Sequence, residues 1–100
     1  FGAPVELFIY IHKSLHIYAA SDAGLMMENL MLSAHAHGLG TCAQGAVSFW
    51  DDAVRQEFEI SKDYRLLCGI AIGYPSNSPV NSFGAHRIGL DELLFKAKKR

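Results

Sequence analysis

The residue pattern predicts a layered domain of the α/β or α+β class, with strand, helix, short strand, helix and strand following in that order. Three observations carry this. An alternating apolar segment runs over 5–12, a long apolar helix pattern over 21–37 ends on a glycine, and an almost unbroken apolar run spans 64–74. Glycine and proline clusters punctuate the rest.

Val5, Leu7, Ile9 and Ile11 alternate with Glu6, Phe8, Tyr10 and His12. That period of two, rich in β-branched and aromatic residues, predicts a strand, and Phe8 and Tyr10 on its second face predict cover on that side too. Pro4 stands at the start, where a strand tolerates it. Lys13 to Ala20 reads as a loop leading to a helix cap.

The organising stretch is Ser21 to Val47. Ala23, Met26, Met27, Leu30, Met31 and Ala34 fall at the spacing of one helix face. Ser21 or Asp22 can cap the start, and Gly38 can take the left-handed conformation that closes the end. Leu25 and Leu32 lie on the opposite side. A helix apolar on nearly all sides is normally buried on nearly all sides, so the pattern predicts a second apolar surface that meets a partner subunit. Gly40 then turns the chain into Thr41-Cys42-Ala43-Gln44-Gly45. This small-residue run reads either as a plain helix-to-strand turn or as a ledge that lets backbone approach a flat ligand.

Ser48 followed by Asp51 resembles a capping box, predicting a short helix that ends near Glu59, with Ala53, Val54, Phe58 and Trp50 as its apolar stripe. Tyr64 to Tyr74 suits a central strand buried on both faces, and Gly69 and Gly73 within it predict close approach by another backbone or a ring. Val80 to Arg100 lacks a period and reads as an extended arm that packs on a partner, ending in a solvated basic tail.

Composition narrows the function. The chain has 100 residues, half of them hydrophobic, enough for one small domain or part of a larger one. An isolated monomer of this size buries only about two thirds of its unfolded surface and is marginal. A net charge of −1 argues against a nucleic-acid footprint. Cys42 and Cys68 are too few for a disulfide scaffold and predict buried free thiols in a reducing, cytoplasmic compartment. The first residues lack a basic segment followed by a long apolar run, and no apolar run reaches membrane-spanning length. Phe1 in place of Met reads as a removed start or as a piece of something longer.

No metal site is expected. His35 and His37 are two apart on a helix and face different ways, and no Cys or His spacing matches a zinc site. A nucleophile elbow, a phosphate loop and the GxGxxG turn are all missing.

The motifs D-A-G-L-M-M-E-N-L-M-L-S-A-H-A-H-G-L-G-T-C (22–42), then A-Q-G, D-A-V-R (52–55), L-L-C-G-I-A-I-G-Y-P (66–75) and P-V-N-S-F-x-x-x-R (79–87) resemble, in that order, the C-terminal half of the nitroreductase family. The resemblance spans nearly the whole chain, 1–100 reading as a single nitroreductase-like domain that lacks the N-terminal half. It implies an α+β fold with an antiparallel sheet flanked by helices. It also implies a homodimer formed through the 22–38 helix and the C-terminal arm, and FMN passing electrons from NAD(P)H to small aromatic acceptors, nitroaromatics or quinones.

Carried onto this sequence, the resemblance places Ala43, Gln44 and Gly45 against the flavin ring, with a backbone N–H near Gln44 reaching ring N5, and Arg87 on the FMN phosphate. A donor at N5 stabilises charge that develops there on reduction, and a planar guanidinium suits phosphate oxygens. No side chain of this segment is implied as catalytic acid or base. Two departures accompany the match. Gly84 stands where relatives carry a basic residue, and the family's N-terminal Arg-Ser-x-Arg segment, which holds the phosphate, has no counterpart here. They open an alternative: a non-catalytic relative that dimerises without flavin.

Overall fold

The computed structural model describes residues 2–99. Strand β1 covers Val5–His12, helix α1 His16–Ala36, strand β2 Gly40–Gln44, helix α2 Asp51–Glu57 and strand β3 Tyr64–Gly73. A one-turn helix α3, Leu90–Leu93, lies in the C-terminal arm. The three strands form one sheet in the order β1-β3-β2, with β3 antiparallel to both neighbours. The class left open by the residue pattern is therefore α+β.

The last strand in sequence is the middle strand in space, as its apolar run requires. Leu66, Cys68, Ile70 and Ala71 of β3 are buried, and Ile70 is fully so at 0% exposure. Burial of such a side chain stabilises by about 1.5–3 kcal/mol. One cluster of the core joins Ile11 of β1 to Ala19 and Ala23 of α1, with Ile9, Ala20 and Leu67 packed against it. A register shift between Ile9 and Tyr10 leaves Leu67 without a partner on β1, the signature of a bulge.

Helix α1 begins earlier than its cap residues predict. A 3₁₀ turn over Lys13–Leu15 leads directly into it, and Ser21 and Asp22 lie inside the helix. No side chain caps the start at Leu15. Burial of Ala19 against β1 supplies what a cap would have, so tertiary packing overrides the local signal. The junction is tight: His16 takes φ +49°, an unusual value for a residue with a β-carbon.

The other end is as expected. Gly38 adopts φ +76°. Its N–H donates to His35 O at 2.9 Å, and the Leu39 N–H reaches Ala34 O at 3.0 Å, the paired bonds of a Schellman closure.

The expected inward stripe of α1 is half realised. Ala23 is buried, Met27, Leu30, Met31 and Ala34 are half-buried, and Met26 is exposed. Leu25 and Leu32, at 66% and 58% exposure, face away from the sheet. Nothing among the described residues covers them.

Ser48 does not cap α2. It lies in a 3₁₀ turn over Gly45–Trp50, and its hydroxyl donates to Gly45 O at 2.8 Å. Helix α2 starts at Asp51 and ends at Glu57, two residues before the predicted end. Of its expected stripe only Val54 is buried, because Trp50 and Ala53 turn outward, while the Phe58 ring stacks at a tilt on Phe8 at 6.2 Å. The thiols are also split. Cys68 is buried as expected, but Cys42 is exposed because β2 is an edge strand.

Beyond Tyr74 the chain is an exposed arm carrying Val80, Phe83, Ile88, Leu90, Leu93, Leu94 and Phe95 on its surface. The radius of gyration, 17.2 Å, exceeds the roughly 13 Å of a compact 100-residue domain. The arm projects instead of folding back.

Candidate functional site

The small-residue run forms the outer edge of the sheet. Ala43 and Gln44 pair with Ile70 and Gly69 of β3, and Gly45 starts the turn that carries the chain over the sheet. Ala43 and Gly45 are exposed, and Gln44 is half-buried. A β-carbon placed on Gly45 would meet nothing within 4 Å. At Ala43 and Gly45 the ledge is thus open to solvent among the described residues. A flat ring can lie against such a surface, and the backbone at an edge strand has groups to offer it.

Gln44 does not project freely. With the amide orientation assigned by matching donor to acceptor, its nitrogen faces the Glu6 carboxylate, at 2.9 Å to Oε1 and 3.3 Å to Oε2. This contact crosses the whole sheet, from β2 over β3 to β1. It is possible because β3 has Gly69 between them. A β-carbon there would collide with Glu6 Oε1 and stand 3.2 Å from Val47 Cγ2. The close approach expected at Gly69 is therefore made by side chains, whereas Gly73 meets the ring of Pro4, with Cδ 2.9 Å from the β-carbon position.

Arg87 lies apart, in the arm. Its guanidinium is exposed and, among the described residues, donates to Ala85 O and His86 O alone, at 3.2 and 3.4 Å. Three of the four expected site residues lie side by side at the end of β2 and the start of the turn after it, and the fourth is not joined to them by a hydrogen bond among the described residues. A planar cation with backbone partners alone is still able to take up an anion.

A cleft of about 560 Å³ opens at the other end of β2, lined by Gly40, Thr41, Cys42, Tyr74, Pro75 and Asn81 among others. Asn81 shapes its rim by donating to Ser76 O at 2.8 Å. These residues sit in the matching motifs, but nothing in their local spacing marks a cleft. It exists because the start of β2 and the end of β3 are paired neighbours.

The electrostatics are concentrated behind the ledge. The Tyr10 hydroxyl donates to Asp51 Oδ1 at 2.7 Å, and Arg55 Nε donates to Asp51 Oδ2 at 3.0 Å. Burial, then the Asp51 bond, pushes the Tyr10 phenol up to about 12. The same Tyr10 bond, aided by Arg55, holds the Asp51 carboxyl below its usual range. Arg55 also donates to the Ile60 and Tyr64 carbonyls, at 2.9 and 2.7 Å. These groups form a structural clamp, because each is engaged with another part of the chain. Among the described residues no cluster of three or more His, Cys, Asp or Glu could hold a metal ion, and no helix is long and apolar enough to cross a membrane.

Comparison with known proteins agrees with the motif order. The chain is 35% identical over 83 residues to a 4-nitrobenzoate reductase of Pseudomonas putida, covering 82% of this chain and 37% of that protein. Among solved structures, the FMN- and NADPH-dependent nitroreductase NfnB from a Sphingopyxis strain superposes with a TM-score of 0.89 at 32% identity, over 98% of this chain and 44% of that one. The FMN-dependent NfnB of Mycobacterium smegmatis, in complex with NADPH, gives 0.88 at 33% identity, over 97% and 44%. The chain thus spans less than half the length of these relatives. The model of the Nitroreductase family matches residues 1–74, from before β1 to just past β3. With its β1-β3-β2 sheet and glycine-closed helix, the chain therefore belongs to the nitroreductase family.

Proposed function

We propose that this chain forms one wall of an FMN site in a dimeric, cytoplasmic oxidoreductase that takes electrons from NAD(P)H and passes them to nitroaromatic or quinone-type acceptors. The observation that carries the reading is the open, small-residue edge at Ala43, Gln44 and Gly45, where Ala43 and Gly45 are exposed and a β-carbon on Gly45 would meet no atom within 4 Å among the described residues. Bound there, FMN supplies an electron acceptor and donor that no side chain of this segment provides.

The chain's own part is placement. The Gln44 backbone N–H faces ring N5, Ala43 and Gly45 let the backbone close on the ring, and Arg87 takes the phosphate. Exposed Leu25 and Leu32 on α1 and the apolar arm give a second copy an extended surface to cover. Both thiols are free, which suits a reducing compartment.

A second reading is a dimer that binds no flavin. It is favoured by Gly84 at the position where a base is expected, and by Arg87 standing away from the ledge. Titration of the protein with FMN separates the two. Stoichiometric quenching of flavin fluorescence supports the first reading. A colourless dimer that leaves the fluorescence unchanged overturns it and supports the second.

A further inference from the structure

Pairing puts Glu6 and Phe8 of β1, Gly69 of β3 and Gln44 of β2 on one face of the sheet. Glu6 and Gln44 sit two strands apart, a span that side chains cross only where the middle strand has none. Gly69 provides that gap, and the Glu6 carboxylate fills the space of the absent β-carbon. Both carboxylate oxygens lie within reach of one amide nitrogen, at 2.9 and 3.3 Å, and both residues are half-buried. A charge-assisted bond in that setting is stronger and more directional than a neutral one.

We infer that Glu6 is a positioning residue for the ledge. Its carboxylate pins the Gln44 side chain flat on the sheet, sets the backbone where β2 turns at Gly45, and keeps the amide from swinging across the open edge. The inference rests on the flavin reading above, since the ledge matters only if a ring lies on it. The chemistry is indirect: Glu6 touches Gln44, and Gln44 presents its backbone to the ligand.

The test uses Glu6→Ala and Glu6→Gln in the full protein, with two measurements. The first needs no ligand. The Gln44 side-chain amide protons, observed by ¹⁵N-edited NMR, are expected to be spread apart and protected from exchange in the parent. They are expected to collapse to solvent-like values in Glu6→Ala and to stay largely in place in Glu6→Gln, whose carbonyl still accepts. The second is FMN affinity by fluorescence quenching, expected to weaken about tenfold in Glu6→Ala and to recover to within about twofold in Glu6→Gln, the scale of one lost hydrogen bond. Thermal melts of both variants confirm that the folded state is being compared.

Unchanged Gln44 resonances in Glu6→Ala overturn the inference. So does collapse of the resonances with FMN affinity unaltered. Should Glu6→Ala fail to fold, Glu6→Gln decides on both counts: a Gln44 amide with solvent-like values, or FMN binding weakened about tenfold from the parent, overturns the inference. A parent protein that takes up no FMN while its Gln44 amide is protected is a different result: the pin stands, and the flavin reading fails, taking the positioning role with it.

Discussion

The Tyr10 hydroxyl donates to Asp51 at 2.7 Å across 41 residues of sequence, tying β1 to the first residue of α2. Asp51 also lies in the first turn of that helix, where a negative charge meets the exposed N–H groups. Arg55, one turn on, closes the ion pair and stands 5.6 Å from the centre of the Tyr10 ring. This clamp sets where the chain goes after it leaves the ledge, since the Gly45–Trp50 turn is held between β2 and Asp51.

Tyr10→Phe is expected to destabilise the protein by about 1 kcal/mol near neutral pH, the net worth of one hydrogen bond. The pH dependence has two edges. Asp51 titrates lower in the folded protein than its reference of 3.8, so its contribution is present above that value and is lost as pH falls through the folded one. Tyr10 is raised from 10.0 to about 12, so its contribution is present below pH 10.0 and is lost as pH rises through about 12. Urea melts of parent and variant across pH should therefore differ most between these edges and converge outside them. A difference that is flat with pH would contradict the clamp.

Gly38→Ala is expected to cost about 1–2 kcal/mol through the backbone alone. At φ +76° the glycine has no neighbour within 4 Å of an added β-carbon, so no clash contributes. Loss should appear as a lower denaturation midpoint with an unchanged denaturant slope.

Leu25→Glu combined with Leu32→Glu is expected to convert a dimer to monomers. Both side chains are exposed in the single chain, and the loss of two leucine burials would weaken association roughly a hundredfold or more. Sedimentation velocity reads the change directly. A variant that sediments as its parent does would show that α1 is not the shared surface.

Arg87→Gln is expected to raise the FMN dissociation constant about tenfold or more, the loss of a charge-assisted phosphate contact. Riboflavin, which lacks the phosphate, should bind parent and variant alike. An equal loss for both ligands would place Arg87 on the ring side or in the fold.

Much of the fold could be read directly from the residues, because strand and helix signals are local. Alternation over 5–12, the apolar run after Tyr64 and the stop at Gly38 each declare themselves within a dozen positions, and the structure places elements on all three. The start of α1 was not legible in the same way. Ser21 and Asp22 are good caps, yet burial of Ala19 against Ile11 draws the helix back to His16. The failed capping box has a similar cause: Ser48 finds the Gly45 carbonyl first.

The sequence by itself determined the family, the kind and order of the elements, and the small residues of the edge, since each depends on neighbours along the chain. Tertiary structure alone decided which strands flank β3 and in what register, that Cys42 faces outward, and that Glu6 reaches Gln44 over Gly69. Those relations join residues 25 to 67 positions apart, from Gln44 with Gly69 to Val5 with Ile72. They are set by which strands hydrogen-bond, and no period within a segment encodes its partner.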